Sequence, residues 1–238
     1  MSSISSVWRL VARIAALTWL AWAVVLTIAI GGLEPFVLIT AAVPLLAWAA
    51  TLWRPNRITF TIFGALGLLA ILFFSPTILE DIVHPESAFG FNTTIVPTLA
   101  SLLMIGVGVA AWTGLGNRSA TRSWVTAAVL FTVGLVVSVV AALGLEDDET
   151  QAGDVSLVAE SAEWSTESLS ATGGTVAVFV RNEDPVRHTF SIDELDIEVE
   201  LPAGTDRRVE FSAPAGTYTF FCAVTGHDSM TGTLVVGP

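Results

Sequence analysis

The sequence predicts an α-helical bundle of five membrane spans followed by an all-β sandwich. Three observations carry this: long apolar runs fill residues 1–145, short alternating runs fill residues 154–238, and the charge divides at the same place. Of 238 residues, 53% are hydrophobic and only 13% charged, a balance that places much of the chain in lipid. Residues 1–145 hold six Arg and four acids, net +2, whereas residues 146–238 hold four Arg and eighteen acids, net −14. Two physically different domains, 1–145 and 154–238, therefore share one chain, joined by an acidic linker at 146–153.

The five apolar runs are 10–30, 35–53, 58–79, 94–112 and 124–145. Each approaches or exceeds the roughly 20 helical residues that cross a hydrocarbon core of about 30 Å. Apart from Arg13 near the start of the first, none contains a charge. Gly31-Gly32-Leu33-Glu34-Pro35 and Trp53-Arg54-Pro55-Asn56-Arg57 read as tight connections, because Gly and Pro interrupt helices. The first run exceeds the core of an ordinary signal peptide and is taken as a retained helix.

Loop charges orient the bundle. Arg9, Arg13, Arg54, Arg57, Arg118 and Arg122 fall on one side, and Glu34, Glu80, Asp81, Glu86 and the run Glu146-Asp147-Asp148-Glu149 on the other. The positive-inside rule then sets the N-terminus in the cytoplasm and the C-terminal domain outside a multi-pass cell membrane. Trp8, Trp53, Trp112 and Trp124 lie near segment ends, where an amphipathic ring suits the headgroup level. Spans two to five contain no ionisable residue or His, so proton relays and haem ligation have no footing there. An anchor or docking platform remains. His84, in the acidic loop 80–94, is the one imidazole of this half; it reads as solvated, with help in binding copper or a partner as the alternative.

Beyond residue 154 the pattern becomes short runs of period two: 155–158, 175–181, 188–192, 197–201, 208–211, 216–222 and 232–236. Gly-Gly, Asn-Glu-Asp-Pro, Pro-Ala-Gly-Thr and Ala-Pro-Ala-Gly separate several of them, which reads as an antiparallel sandwich. The acidic surface repels nucleic acid and anionic headgroups over roughly 10 Å at 0.1 M salt, so a basic protein partner or a saline medium fits better. One cysteine, Cys222, rules out an intrachain disulfide framework.

Near the end of the chain stands Tyr218-Thr-Phe-Phe-Cys222-Ala-Val-Thr-Gly-His227-Asp-Ser-Met230-Thr-Gly232, and upstream stands Asn182-Glu-Asp-Pro-Val-Arg-His188-Thr-Phe190. Over residues 154–238 the sequence resembles the cupredoxin, or type 1 blue copper, family of plastocyanin and azurin-like domains. The membrane half carries no such resemblance. The resemblance implies a Greek-key sandwich binding one type 1 copper ion through His188, Cys222, His227 and Met230. A thiolate and two imidazoles suit copper in both oxidation states, and a long axial thioether favours the reduced one. Four residues separate Cys222 from His227, as in azurin-like members, but only two separate His227 from Met230, fewer than in azurin or plastocyanin. Backbone N–H groups near Thr189 are candidate donors to the Cys222 sulfur, and Asn182 is a candidate brace of the ligand loop.

The ligand inventory limits the function. A binuclear copper centre needs a second Cys, and multicopper oxidases or nitrite reductases need more than the three His present. The expectation is a membrane-anchored one-electron carrier, not itself an enzyme, bound to the lipid bilayer and exchanging electrons with an unidentified redox partner protein. The alternatives are a module for copper storage, delivery or sensing, and an accessory subunit of a membrane complex.

Overall fold

The computed structural model describes residues 4–30, 32 and 35–238. Its helices are α1 (Ser6–Ile30), α2 (Pro35–Trp53), α3 (Arg57–Phe73), α4 (Ser75–Asp81), α5 (Ala88–Thr113) and α6 (Asn117–Leu143). Of the expected turn at 31–35, Gly31, Leu33 and the orienting acid Glu34 lie outside the described residues. Among the described residues, α1, α2, α5 and α6 are each long and apolar enough to cross a membrane, while α3 and α4 qualify only as a pair bent by 60°. The expected five helices are thereby corrected to six among the described residues, which supply four candidate spans, or the expected five if the bent pair is one span. Pro76 gives the reason: it sits in the first turn of α4, lacks an N–H and disfavours helical geometry in the residue before it, so the run 58–79 breaks.

One core holds the helical unit. Trp8, Val11, Ala15 and Trp19 form an apolar stripe at helical spacing on α1 and are buried with Phe60 and Phe63 of α3 and with Met104 and Val107 of α5. Helices α3 and α5 approach so closely that a Cβ on Gly64 would lie 2.8 Å from the Gly108 Cα, the small-residue packing common where lipid removes the hydrophobic drive between helices. Asn56 and Thr59 cap α3 reciprocally: the Thr59 N–H donates to Asn56 Oδ1 at 3.0 Å and the Asn56 N–H to Thr59 Oγ1 at 3.4 Å.

Trp8 departs from expectation. It is 1% exposed and its ring packs on Gly106, so it fills the bundle rather than marking a headgroup boundary. Trp53 and Trp112 are exposed, and each carries a guanidinium over its ring: Arg54 at 4.9 Å and Arg57 at 5.6 Å. These pairs gather cation and indole at the α2–α3 turn and the end of α5, a composition suited to an interface.

The β half contains β1 (Val155–Glu160), β2 (Glu163–Trp164), β3 (Ser168–Thr172), β4 (Gly174–Asn182), β5 (His188–Ile192), β6 (Ile197–Leu201), β7 (Asp206–Ala213), β8 (Gly216–Phe221) and β9 (Thr231–Gly237). They form two sheets, β2-β1-β4-β7 and β3-β9-β8-β5-β6. Leu157, Val178 and Val209 of the first share a core with Leu169, Phe190, Phe220 and Leu234 of the second. The sandwich is mixed rather than purely antiparallel, since β1 runs parallel to β4 and β3 parallel to β9. Period-two alternation records which face a strand buries and says nothing of its neighbour's direction. β2 and β3 escaped the sequence reading because one has two residues and the other, Ser-Leu-Ser-Ala-Thr, offers a single large apolar side chain.

The acidic segment after α6 does not hang free. β7 is an edge strand, and the Asp206 and Arg208 N–H groups donate to Asp147 Oδ1 at 3.0 Å and Asp148 Oδ2 at 2.8 Å. The Asp148 N–H donates to the Asp206 carbonyl, and Arg207 Nη1 to the Glu146 carbonyl. These contacts occupy backbone groups that an edge strand otherwise presents to a second chain. Further on, Arg208 Nε donates to both carboxylate oxygens of Asp154 at 3.0 and 3.1 Å, which holds that carboxyl below its ordinary value.

Candidate metal centre

His188 opens β5, Cys222 follows the last residue of β8, and β5 and β8 are neighbours in one sheet. Strand pairing therefore delivers two donors from segments 34 residues apart. The third, His227, lies on the loop from β8 to β9. The Cys222 N–H donates to the Met230 carbonyl at 3.0 Å, and the His227 N–H to the Val224 carbonyl at 3.0 Å. The loop is thus closed by its own backbone. The short step from His227 to Met230 is a turn, with the Met230 N–H donating to the His227 carbonyl at 2.8 Å. That turn returns Met230 to the interior, where it is 1% exposed and clusters with Cys222.

Three donor atoms converge. His188 Nδ1 lies 3.1 Å from His227 Nδ1, and Cys222 Sγ lies 3.7 Å from the first and 3.5 Å from the second. A point equidistant from all three is about 2 Å from each, the length of a first-row metal bond to imidazole and slightly short of one to thiolate. His188 and Cys222 are buried and His227 is half-exposed. Among the described residues no other group of three His, Cys, Asp or Glu side chains has this form, and His84 is not drawn into it.

Burial pushes the Cys222 thiol up, against the Thr189 N–H that donates to its sulfur at 3.4 Å, and burial pushes the His188 imidazole down. Without a cation the pocket favours neutral thiol and neutral imidazole. A cation at the centre reverses the preference for the thiol, because a coordinated thiol loses its proton. The amide donor expected near Thr189 is therefore in place, and the Thr189 hydroxyl also accepts the Ala223 N–H at 2.7 Å and the Ser191 hydroxyl at 3.0 Å.

Asn182 has a different task from the one expected. Its Nδ2 donates to the carbonyls of Val186, Leu201 and Pro202, and its Oδ1 accepts the Asp184 N–H at 3.0 Å. It braces the turn ahead of His188 rather than the Cys222–Met230 loop, because it ends β4 on the opposite sheet. Two neighbours escaped the sequence reading. Asp184 Oδ2 lies 2.8 Å from His188 Nε2, and the Trp164 ring packs 6.4 Å from the His188 ring, centroid to centroid. The spacing from Asp184 to His188 was visible, but a carboxylate four residues before a ligand has many uses.

Burial opposes ionisation of Asp184, yet the N–H groups of Ala162 and Ser161, at 2.9 and 2.7 Å, together with His188, outweigh it and hold the carboxyl below its ordinary value. Ser161 and Ala162 themselves have φ of 57° and 55°, left-handed values uncommon outside glycine.

Residues 128–236 match the family model of the cupredoxin-like domain, a match that begins within α6. The C-terminal part of the chain is a cupredoxin-like domain, and its donor set is that of one type 1 copper ion. Similar solved structures include a Cu(I) form of an amicyanin variant, 22% identical, covering 37% of this chain and 86% of that one with a TM-score of 0.32. A reduced amicyanin variant is 21% identical, covers 37% and 86%, and has a TM-score of 0.31. A copper-containing nitrite reductase from Thermus scotoductus SA-01 is 21% identical, covers 40% of this chain and 24% of its own, with a TM-score of 0.31. A search of curated proteins gave no match.

Proposed function

We propose that this chain is a membrane-anchored, extracytoplasmic blue copper protein that carries one electron at a time and is not itself an enzyme. His188, Cys222 and His227 are its strong ligands and Met230 its weak axial one. The observation that carries the reading is the convergence of the two Nδ1 atoms and the Cys222 sulfur within 3.1–3.7 Å.

When bound, copper supplies reversible one-electron chemistry in such a His₂Cys setting. The remaining work belongs to the chain. β5 holds His188 rigidly, the Thr189 amide donates to the sulfur and so disperses thiolate charge, and the closed loop limits how far His227 can move. Small reorganisation favours electron exchange over metal release. His227 is the least buried of the three donors and the one a partner can approach. Beyond these ligands the sequence offers only His84 as a further imidazole, too few donors for a second catalytic copper. The helical unit acts as the anchor in the bilayer, and the acidic β half favours a basic redox partner protein over nucleic acid.

The test is made on the full chain in detergent. Cu(II) loading should give intense visible absorption that Cys222→Ser abolishes. Voltammetry should be reversible, and Met230→Leu should retain copper while shifting the potential, since it removes one weak donor and none of the strong ones. A site for storage or delivery would instead surrender Cu(I) rapidly to a chelator of known affinity and show sluggish or irreversible voltammetry. A folded wild-type chain that stays colourless with Cu(II) sinks the assignment.

A further inference from the structure

We infer that Asp184 is a positioning residue for this centre: its carboxylate locks the His188 ring with Nδ1 facing Cys222 and His227 and strengthens that nitrogen as a donor. The inference rests on the copper reading above.

The geometry is closed on every side. Asp184 Oδ2 lies 2.8 Å from His188 Nε2, and His188 has no exposed surface, so the bond is shielded from water. Both oxygens of Asp184 already accept backbone N–H groups, from Ser161 at 2.7 Å and Ala162 at 2.9 Å, so the carboxylate is an acceptor toward His188 as well: Nε2 carries the proton and Nδ1 keeps its lone pair. That lone pair lies on the side of Cys222 Sγ and His227 Nδ1, at 3.7 and 3.1 Å. The carboxylate is itself held in place. Ser161 and Ala162 donate to its two oxygens, its own N–H donates to Asn182 Oδ1, and Pro185 follows it in the chain.

The contact therefore joins the β1–β2 turn to a metal ligand through one side chain. A purely structural reading would make Asp184 a brace for that left-handed turn alone. Two features argue for more: the same Oδ2 serves both Ala162 and His188, and the charge falls on the ring whose other nitrogen enters the donor triangle. A carboxylate behind a ligating imidazole fixes its tautomer and raises its basicity, and losing such a partner costs about 10- to 100-fold in metal affinity. A more basic imidazole favours Cu(II) over Cu(I).

The experiment compares wild type, Asp184→Asn and Ser161→Gly as full chains in detergent, measuring Cu(II) and Cu(I) affinities, midpoint potential and thermal stability. Asp184→Asn preserves shape but loses the charge. It should weaken Cu(II) binding about 10- to 100-fold while changing Cu(I) binding less. The potential should rise by about 59 mV for each tenfold of that difference. Ser161→Gly keeps the turn N–H and relaxes its φ, so stability should change while the potential stays. An Asp184→Asn chain with lowered stability but an unchanged affinity ratio and potential would reduce Asp184 to a turn brace and overturn the inference. Should that variant fail to fold, the wild-type Cu(I) chain decides by ¹⁵N-histidine NMR. A slowly exchanging, strongly downfield His188 Nε2 proton supports the bond, and a shift typical of a free imidazole N–H overturns it. If the wild-type chain binds no Cu(II), the copper reading falls and this inference with it; if copper binds and the ratio is unmoved, only this inference falls.

Discussion

The backbone N–H of Thr189 donates to the Cys222 sulfur at 3.4 Å while the Thr189 side chain accepts the Ala223 N–H at 2.7 Å, so one residue of β5 holds both the ligand and the loop that follows it. The two contacts are separable by mutation. Thr189→Val keeps the amide but removes the hydroxyl, leaving a loop N–H and the Ser191 hydroxyl without their partner. We expect a loss of about 1–3 kcal/mol in stability, because a buried donor is left unpaired. Thermal unfolding of the copper-loaded chain should show it, Thr189→Ser should restore most of it, and the charge-transfer absorption should persist in both variants.

Asp154 supplies a pH-dependent contact between the segment after α6 and β7. Its carboxyl is held below the ordinary 3.8 by hydrogen bonding from Arg208. A group depressed in the folded state contributes stability that is present above the unfolded value and disappears as pH falls through the folded one. Asp154→Asn should therefore lower the melting temperature at pH 7, and the difference from wild type should shrink toward zero as pH drops below 3.8 and on through the lower folded value. A difference that stays constant across that window would assign the effect to shape rather than charge.

Close packing of α3 on α5 makes Gly64 intolerant of a side chain, since the atom met at 2.8 Å is the Gly108 Cα and backbone cannot swing aside. Gly64→Val should cost about 1–3 kcal/mol by overpacking. Gly116, where an added Cβ meets nothing within 4 Å, is the control, and Gly116→Ala should be near neutral. Melting of the purified chain in one detergent compares the two directly.

Orientation can be tested with cysteine placement in the Cys222→Ser background. Gly116 and Glu149 are both exposed, the first just before α6 and the second in the segment that follows it. A membrane-impermeant maleimide applied to intact cells should label Glu149→Cys and spare Gly116→Cys. The reverse pattern would place the β half in the cytoplasm.

The reach of the sequence differed between residues for physical reasons. Cys222, His227 and Met230 stand within one short segment and His188 opens a strand with clear alternation, so a chain with one Cys and three His displays its soft donors openly. Apolar run length is likewise local, which is why the helical half was legible even though Pro76 bends one run. Asp184 was not legible: its bond to His188 depends on the turn that Asn182 braces, and its charge is held by N–H groups of Ser161 and Ala162, more than twenty residues away. Trp8 was misassigned for a related reason, because a tryptophan near a helix end suits an interface or a core equally until Gly106 is found beneath its ring.

By itself, then, the sequence determined composition-level facts and local geometry: apolar runs that suit lipid, a change to alternating strands, and a set of soft donors at fixed spacing. Only the tertiary structure decided that β1 and β3 pair in parallel, that the acidic segment lies on the edge of β7, and that a carboxylate stands behind His188. Periodicity and residue type are properties of neighbours along the chain. Strand direction, edge coverage and the partner of a ring nitrogen depend on which distant backbone N–H and C=O groups the fold brings within about 3 Å of one another.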